Sequence, residues 1–276
     1  MTSSPTIYDS DLARRPLISE LANVWSFRGL LRLLVVRDLT LRYKRSTLGV
    51  WWTLLNPLLT TAVMWIVFSQ VFRFEIPDTP FAVYLLSGVL LVMFFSQAVI
   101  ASGGSIVNSR PVLSKVYVPP EIFAVSTATS AGVNFLFSLV PLMIVQLATG
   151  VGIPWTIILV PIPIIAMLAL SAGLGMLVAS AAVYFYDIID LTAVLIQLIG
   201  YLTPTFYPIA IIPEHFQWII KSNPLYSYLV VFRGFMYEGQ FAGPWFFLTM
   251  FVTAVVSLVL GVWVFSRSWK KMLVMM

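Results

Sequence analysis

The chain has 276 residues, of which 60% are hydrophobic and only 10% charged, whereas soluble domains carry roughly a quarter charged residues, so water is excluded as its main solvent. Its net charge of +5 would suggest nucleic acid in a soluble protein, but basic residues in a membrane protein mark cytoplasmic loops, and their positions below account for the charge without a nucleic-acid partner. With no cysteine, disulfides and thiolate-held zinc or iron–sulfur centres are excluded.

The segment 1–21 is a polar tail carrying Asp9, Asp11, Arg14, Arg15 and Glu20, without the apolar core of a signal peptide, and its expected place is the cytoplasm. From residue 22 onward the pattern reads as a single domain. Trp25 to Arg45 is rich in Leu and Val but interrupted by seven charges, too many for a crossing. On a helical wheel Leu30, Leu33, Leu34 and Leu41 share one side while Arg28, Arg32, Asp38, Arg42 and Arg45 gather on the other, as an interfacial helix requires. Arg37 and Lys44 fall on the apolar side and Leu31, Val35 and Leu39 on the charged one, so either long side chains snorkel or the helix packs on protein.

Six candidate spans follow: Leu48 to Phe72, Phe81 to Val107, Ile122 to Thr149, Trp155 to Phe185, Leu191 to Ile212 and Trp245 to Phe265. They are continuously apolar, so helices are expected rather than the alternating strands of a barrel. Phe216 to Phe235 contains Lys221, Asn223, Pro224 and Arg233, and a central Arg or Lys costs roughly 2.5–3.5 kcal/mol on insertion. A re-entrant or surface-lying outer segment is expected there. Six spans put thirteen of the sixteen basic residues inside, eight before Leu48, then Arg110 and Lys115, then Arg267, Lys270 and Lys271. Only Arg73, Lys221 and Arg233 lie outside, so both termini are expected in the cytoplasm. Ser171, Gly175 and Ala179 form a small-residue stripe suited to close helix packing.

Absences narrow the chemistry. The spans hold no ionisable residue in their middles, which disfavours ion-coupled transport. None of the five lysines follows a glycine, so no phosphate-cradling GK[ST] loop exists and any ATP must be hydrolysed by another chain. The lone His215 beside Glu214 reads as a solvated outer loop rather than a catalytic dyad. No catalytic and no metal-ligating residue is assigned, and no cofactor is expected in this chain.

Three stretches carry a family resemblance. The run from Arg42 to Trp52 leading into Leu54-Leu55-Asn56-Pro57 resembles the start of the first transmembrane helix in ABC permeases that export polysaccharides, the O-antigen and teichoic-acid class. The run Phe206-Tyr207-Pro208-Ile209, with Ile212-Pro213-Glu214, Ser222-Asn223-Pro224-Leu225 and Phe232-Arg233, resembles that family's outer re-entrant region. Asn108 to Pro119 is similar to its cytoplasmic loop after the second span, although Val118-Pro119-Pro120 stands where an aromatic before the proline is expected. The N-terminal half looks most like an actinobacterial exporter of lipid-linked galactan for the cell wall.

The resemblance implies a homodimer in the bacterial inner membrane, working with two copies of an ATP-binding subunit that holds ATP and magnesium. The implied cargo is a polymer on polyprenyl pyrophosphate, passing between the two permeases. The expected fold is all-α integral membrane, with six transmembrane helices, an N-terminal cytoplasmic interfacial helix over 25–45 and a re-entrant outer segment. Arg42, Lys44 and Arg45 are the expected ligands of the lipid pyrophosphate, since an anionic headgroup at a channel mouth needs several fixed cationic donors. Asn108, Arg110, Val112, Leu113, Lys115 and Val116 are expected to dock on the ATPase through a short amphipathic helix between Pro111 and Pro119. Trp51, Trp52, Tyr84, Phe94, Phe95, Tyr201, Phe206 and Tyr207 are candidate channel-lining aromatics, because sugar C–H faces stack on rings; the same residues also suit interfacial anchoring. Two other readings stay open: a permease for drugs or lipids, and an integral-membrane glycosyltransferase or polymerase. The latter needs loop carboxylates or His, and beyond the N-terminal part the cytoplasmic loops offer no His and only Asp187 and Asp190, with Glu121 directly against the third span.

Overall fold

The computed structural model describes residues 26–44, 47–49, 51–71, 79–113 and 118–275. Its regular elements among those residues are all helical. Four helices are long and apolar enough to cross a hydrocarbon layer: Phe81–Asn108, Glu121–Ala148, Trp155–Ala182 and Pro244–Trp269. They fall on four of the expected spans, because a bilayer rewards only segments that satisfy their own backbone.

Helix α1, Arg28–Tyr43, packs along a later helix rather than standing alone. Its protein-facing stripe runs through Leu30, Leu31, Leu34 and Val35, while Leu33, Val36 and Leu41 stay exposed. Both sides of α1 are apolar in part, which is why the wheel alone did not fit one face. Helix α2, Trp51–Trp65, carries Pro57 and runs on as a π-helical turn, Ile66–Val71. Helix α3, Phe81–Asn108, is the most enclosed element and lies against α5, Glu121–Ala148, and α6, Pro161–Ala182, with the four-residue α4, Arg110–Leu113, at its end. Proline at the first position of α6 supplies a helical φ where no N–H partner is needed.

Helix α7, Asp187–Leu202, corrects the expected Leu191 to Ile212 span. It begins earlier, with Asp187 and Asp190 in the first turn where the helix dipole favours anions. It stops well before Ile212 because Thr203 precedes Pro204 and adopts the extended backbone that a following proline imposes. Phe216 to Phe235 is divided between α8, Gln217–Lys221, and α9, Pro224–Arg233, capped by the Asn223 side chain accepting from Leu225 N–H at 3.0 Å. A π-helical turn, Gly234–Glu238, ends at Gly239 with φ +69, before α10, Pro244–Met275.

Close approach between helices rests on missing side chains. A Cβ on Gly175 would run into Ser102, one on Gly103 would lie 2.6 Å from Val178 Cγ1, and one on Gly261 would run into the Gly173 carbonyl. The expected stripe of Ser171, Gly175 and Ala179 is buried accordingly, and α6 sits in the angle between α3 and α10. Two apolar clusters result. The larger gathers α3, α5, α6, α9 and α10 around Phe94, Phe135, Phe232 and Phe235. The second joins α1 to the ends of α3, α5, α6 and α10 around Ile106, Ile122, Met176 and Phe265.

Candidate functional site

Where the last turn of α1 meets the first turns of α2, the chain encloses a cavity of about 350 Å3 against α3 and α5. Tyr43 reaches across it and donates from its hydroxyl to Asn134 Oδ1 at 2.7 Å, midway along α5. Arg42 lies on the rim, exposed, with Nη1 donating to Gln97 Oε1 at 3.4 Å. Trp52, Asn56, Phe94 and Ser138 complete the walls that matter chemically. Asn134 is 4% exposed and, among the described residues, its Nδ2 finds no partner and no side-chain hydrogen bond involves Asn56. The lining therefore combines three carboxamides with aromatic faces, and its one formal charge is the cation at the rim.

A second polar centre lies at the start of α3. Arg233, 5% exposed at the end of α9, sets its guanidinium over the Tyr84 ring and donates from Nε to Ser87 Oγ at 3.2 Å, from Nη1 to the Pro204 carbonyl at 3.1 Å and from Nη2 to the Tyr84 carbonyl at 2.8 Å. The Tyr84 hydroxyl donates to the Pro204 or Tyr207 carbonyl, each at 2.9 Å. Gly88 makes room: a Cβ there would lie 3.0 Å from Arg233 Nη2 and 2.8 Å from Thr205 Cγ2. Asn223 Nδ2 donates to Thr203 Oγ1 at 2.9 Å, while Gln146 Nε2 and Thr156 Oγ1 bind the Met236 and Phe235 carbonyls. The π-turn and the 203–207 bend are thus bolted to α3, α5 and the start of the Trp155–Ala182 span.

The expected site residues divide among several places. Arg42, Trp52 and Phe94 meet at the cavity; Lys44 is exposed one residue beyond α1, and Arg45 lies outside the described residues. Trp51 and Tyr201 are exposed on α2 and α7, with Tyr207 donating to the Tyr201 carbonyl at 2.9 Å. Tyr84, Phe206 and Tyr207 belong to the Arg233 end. Phe95 is enclosed in the larger cluster, and Phe94 stacks on Phe135 with centroids 4.7 Å apart. Asn108 is exposed at the end of α3, Arg110 is half-buried, and Leu113 leans on the second cluster. The Val112 side chain, Lys115 and Val116 lie outside the described residues. Tyr43, Asn56, Gln97 and Asn134 were not anticipated, although a carboxamide inside an apolar span is a signal the sequence does carry.

The profile of the ABC-2 type transporter family matches residues 29–237. The chain is 30% identical over 224 residues to the O-antigen export system permease protein RfbA of Myxococcus xanthus, covering 80% of this chain and 85% of that one. It is 28% identical over 240 residues to the RfbA permease of Klebsiella pneumoniae, covering 86% and 91%. The capsule polysaccharide export inner-membrane protein CtrC of Neisseria meningitidis is 24% identical over 244 residues, covering 85% and 89%.

Proposed function

The chain belongs to the ABC-2 type transporter family, and on that ground we propose that it is the permease of an ATP-driven exporter that moves a polysaccharide, attached to polyprenyl pyrophosphate, outward across the bacterial inner membrane. The observation that carries the reading is that relatives named for O-antigen and capsule export align along nearly their whole length. A separate ATP-binding subunit supplies the energy, since no lysine here follows a glycine to build a phosphate loop.

Six crossings suit this role. The four long helices are joined by α2 with its π-turn and by α7 with the stretch that follows it; α8 and α9 dip into the outer face and return, and both termini face the cytoplasm. Two copies of the chain would meet along α2 and α7, whose outward faces leave Trp51, Leu59, Leu198 and Tyr201 exposed in the monomer. Arg42, Lys44 and Arg45 collect the pyrophosphate as charge-assisted donors. The loop after α3 meets the ATPase.

Deletion and complementation test the reading. Cells lacking the chain should lose surface polysaccharide and accumulate carrier-linked polymer inside, with both restored by the wild-type gene. Unchanged surface polysaccharide in the deletion strain would overturn it.

A further inference from the structure

The cavity between α1, α2, α3 and α5 poses a hydrogen-bonding problem. It lies beside the middle of α5, where a bilayer offers no water to buried polar groups. Yet among the described residues buried Asn134 Nδ2 has no partner, the more open Asn56 side chain makes no hydrogen bond, and half-buried Gln97 accepts only a long one from Arg42. Unmet amides at such a place cost free energy unless something fills the space with donors and acceptors. At about 350 Å3 the cavity is at the small end of ligand pockets.

The lining states what that occupant is. Carboxamides both donate and accept, which matches hydroxyl groups; a hydrocarbon would leave them unpaired, and a cation would use only their oxygens with Arg42 close by. Trp52 and Tyr43 supply aromatic rings to the lining, of the kind on which the C–H face of a sugar rests, while Phe94 is taken up by its stack on Phe135. No acidic side chain lines the cavity, and Arg42 stands at its rim, so a group of negative charge fits beside the occupant rather than in its place.

We infer that this cavity is a binding site for a single uncharged sugar ring, the one adjoining the anionic carrier, with Asn56, Gln97 and Asn134 reading its hydroxyls and Trp52 stacking on it. The inference rests on the proposed glycan-export function and adds to it a site that recognises the first sugar. Tyr43 closes the inner wall through its bond to Asn134, so the pocket exists only while α1 stays against α5.

The test uses the full-length permease in phosphatidylcholine nanodiscs, where no lipid headgroup offers a polyol. Native mass spectrometry compares polyprenyl diphosphate carrying one N-acetylglucosamine with bare polyprenyl diphosphate of the same length. The wild type should prefer the sugar-bearing carrier roughly tenfold, the scale of one or two added hydrogen bonds. That ratio should fall to near one in Asn56→Leu and in Asn134→Leu. Asn56 is exposed and unbonded, so its variant carries the test if Asn134→Leu fails to fold. Equal affinity of the wild type for the two carriers would mean a cavity that holds water only, and a preference that survives in folded Asn56→Leu would mean that the sugar is read elsewhere; either result would overturn the inference. Failure of both carriers to bind would overturn it as well; the surface polysaccharide of the deletion strain then decides separately whether the export reading stands.

Discussion

The guanidinium carbon of Arg233 lies 3.5 Å from the centroid of the Tyr84 ring, which places a cation from α9 on the first turn of α3 with no carboxylate in contact among the described residues. The charge is held by two carbonyls, a hydroxyl and a π-face. One of those carbonyls, that of Pro204, is free because α7 has ended just before it. The break in α7 and the buried arginine therefore complete one another.

Arg233→Met should leave these acceptors unpaired and lower stability by about 2–4 kcal/mol, since a buried acceptor without a partner keeps its desolvation penalty. Arg233→Lys should recover only part of that loss, because one ammonium cannot reach three acceptors that a planar fork spans. Thermal unfolding of the purified variants measures the ranking. Equal stability of Arg233→Met and wild type would remove the clamp from the account.

The helix crossing at Gly173 and Gly261 gives a sharper steric test. Gly261→Val and Gly173→Val place atoms into the facing backbone, so α6 and α10 must separate and the larger cluster must open. The expected result is normal insertion with strongly reduced protein level and melting temperature. Gly29→Ala is the matched control: it meets nothing within 4 Å, and alanine in a helix should be neutral or stabilising by about 0.5–1 kcal/mol. A Gly261→Val protein as stable as Gly29→Ala would show that the two helices do not cross there.

Four spans could be read from the sequence because each is an unbroken apolar run of membrane length, and a pattern that local needs no partner to be recognised. The end of α7 could not be read by hydropathy, since Ile209, Ile211 and Ile212 continue the apolar run past the prolines that stop the helix. Arg233 was legible as a charge to be kept from the hydrocarbon but not as a buried one, because the carbonyls that hold it come from residues 149 and 29 positions away. The same distance hid the cavity: Tyr43 and Asn134 are 91 residues apart, and only the fold makes them neighbours.

The Tyr43 hydroxyl makes a side-chain hydrogen bond from the last turn of α1 to the middle of α5. Tyr43→Phe removes the donor, leaving both ends of the Asn134 carboxamide unpaired, at a cost of about 1–2 kcal/mol. Loosening should concentrate at α1. Hydrogen exchange should rise over residues 28–43 while staying unchanged in α3 and α6; uniform exchange across the variant and wild type would show that the bond does not hold α1 in place.

The proposed docking of the ATPase on the loop after α3 predicts a charge effect. Arg110→Glu should reduce co-purification of the ATP-binding subunit at least about tenfold while the permease still inserts, because a reversed charge at a protein interface costs several kcal/mol. Leu113→Ser should act differently, lowering the stability of the permease itself, since Leu113 leans on the second cluster. Undiminished co-purification by Arg110→Glu would move the contact elsewhere, with α1 as the next surface to test.

Topology can be tested without removing anything, because the chain has no cysteine and every introduced thiol reports alone. Asn108, Asp190, His215 and Lys221 are all exposed, so each accepts cysteine without disturbing a core. With six crossings, a membrane-impermeant maleimide should label His215→Cys and Lys221→Cys in intact cells, and Asn108→Cys and Asp190→Cys only after permeabilisation. The pair Asp190 and His215 is the decisive one. Helix α7 has 16 residues and at about 1.5 Å each is shorter than a hydrocarbon layer about 30 Å thick, so its crossing must be finished by the largely irregular stretch to Ile212, which holds one 3-10 turn at Ile209–Ile211. That stretch is tolerable at membrane depth only if protein satisfies its carbonyls, as Arg233 and Tyr84 do for Pro204. Labelling of Asp190→Cys and His215→Cys from the same side would mean that α7 does not cross, which breaks the even count and puts the two termini on opposite faces.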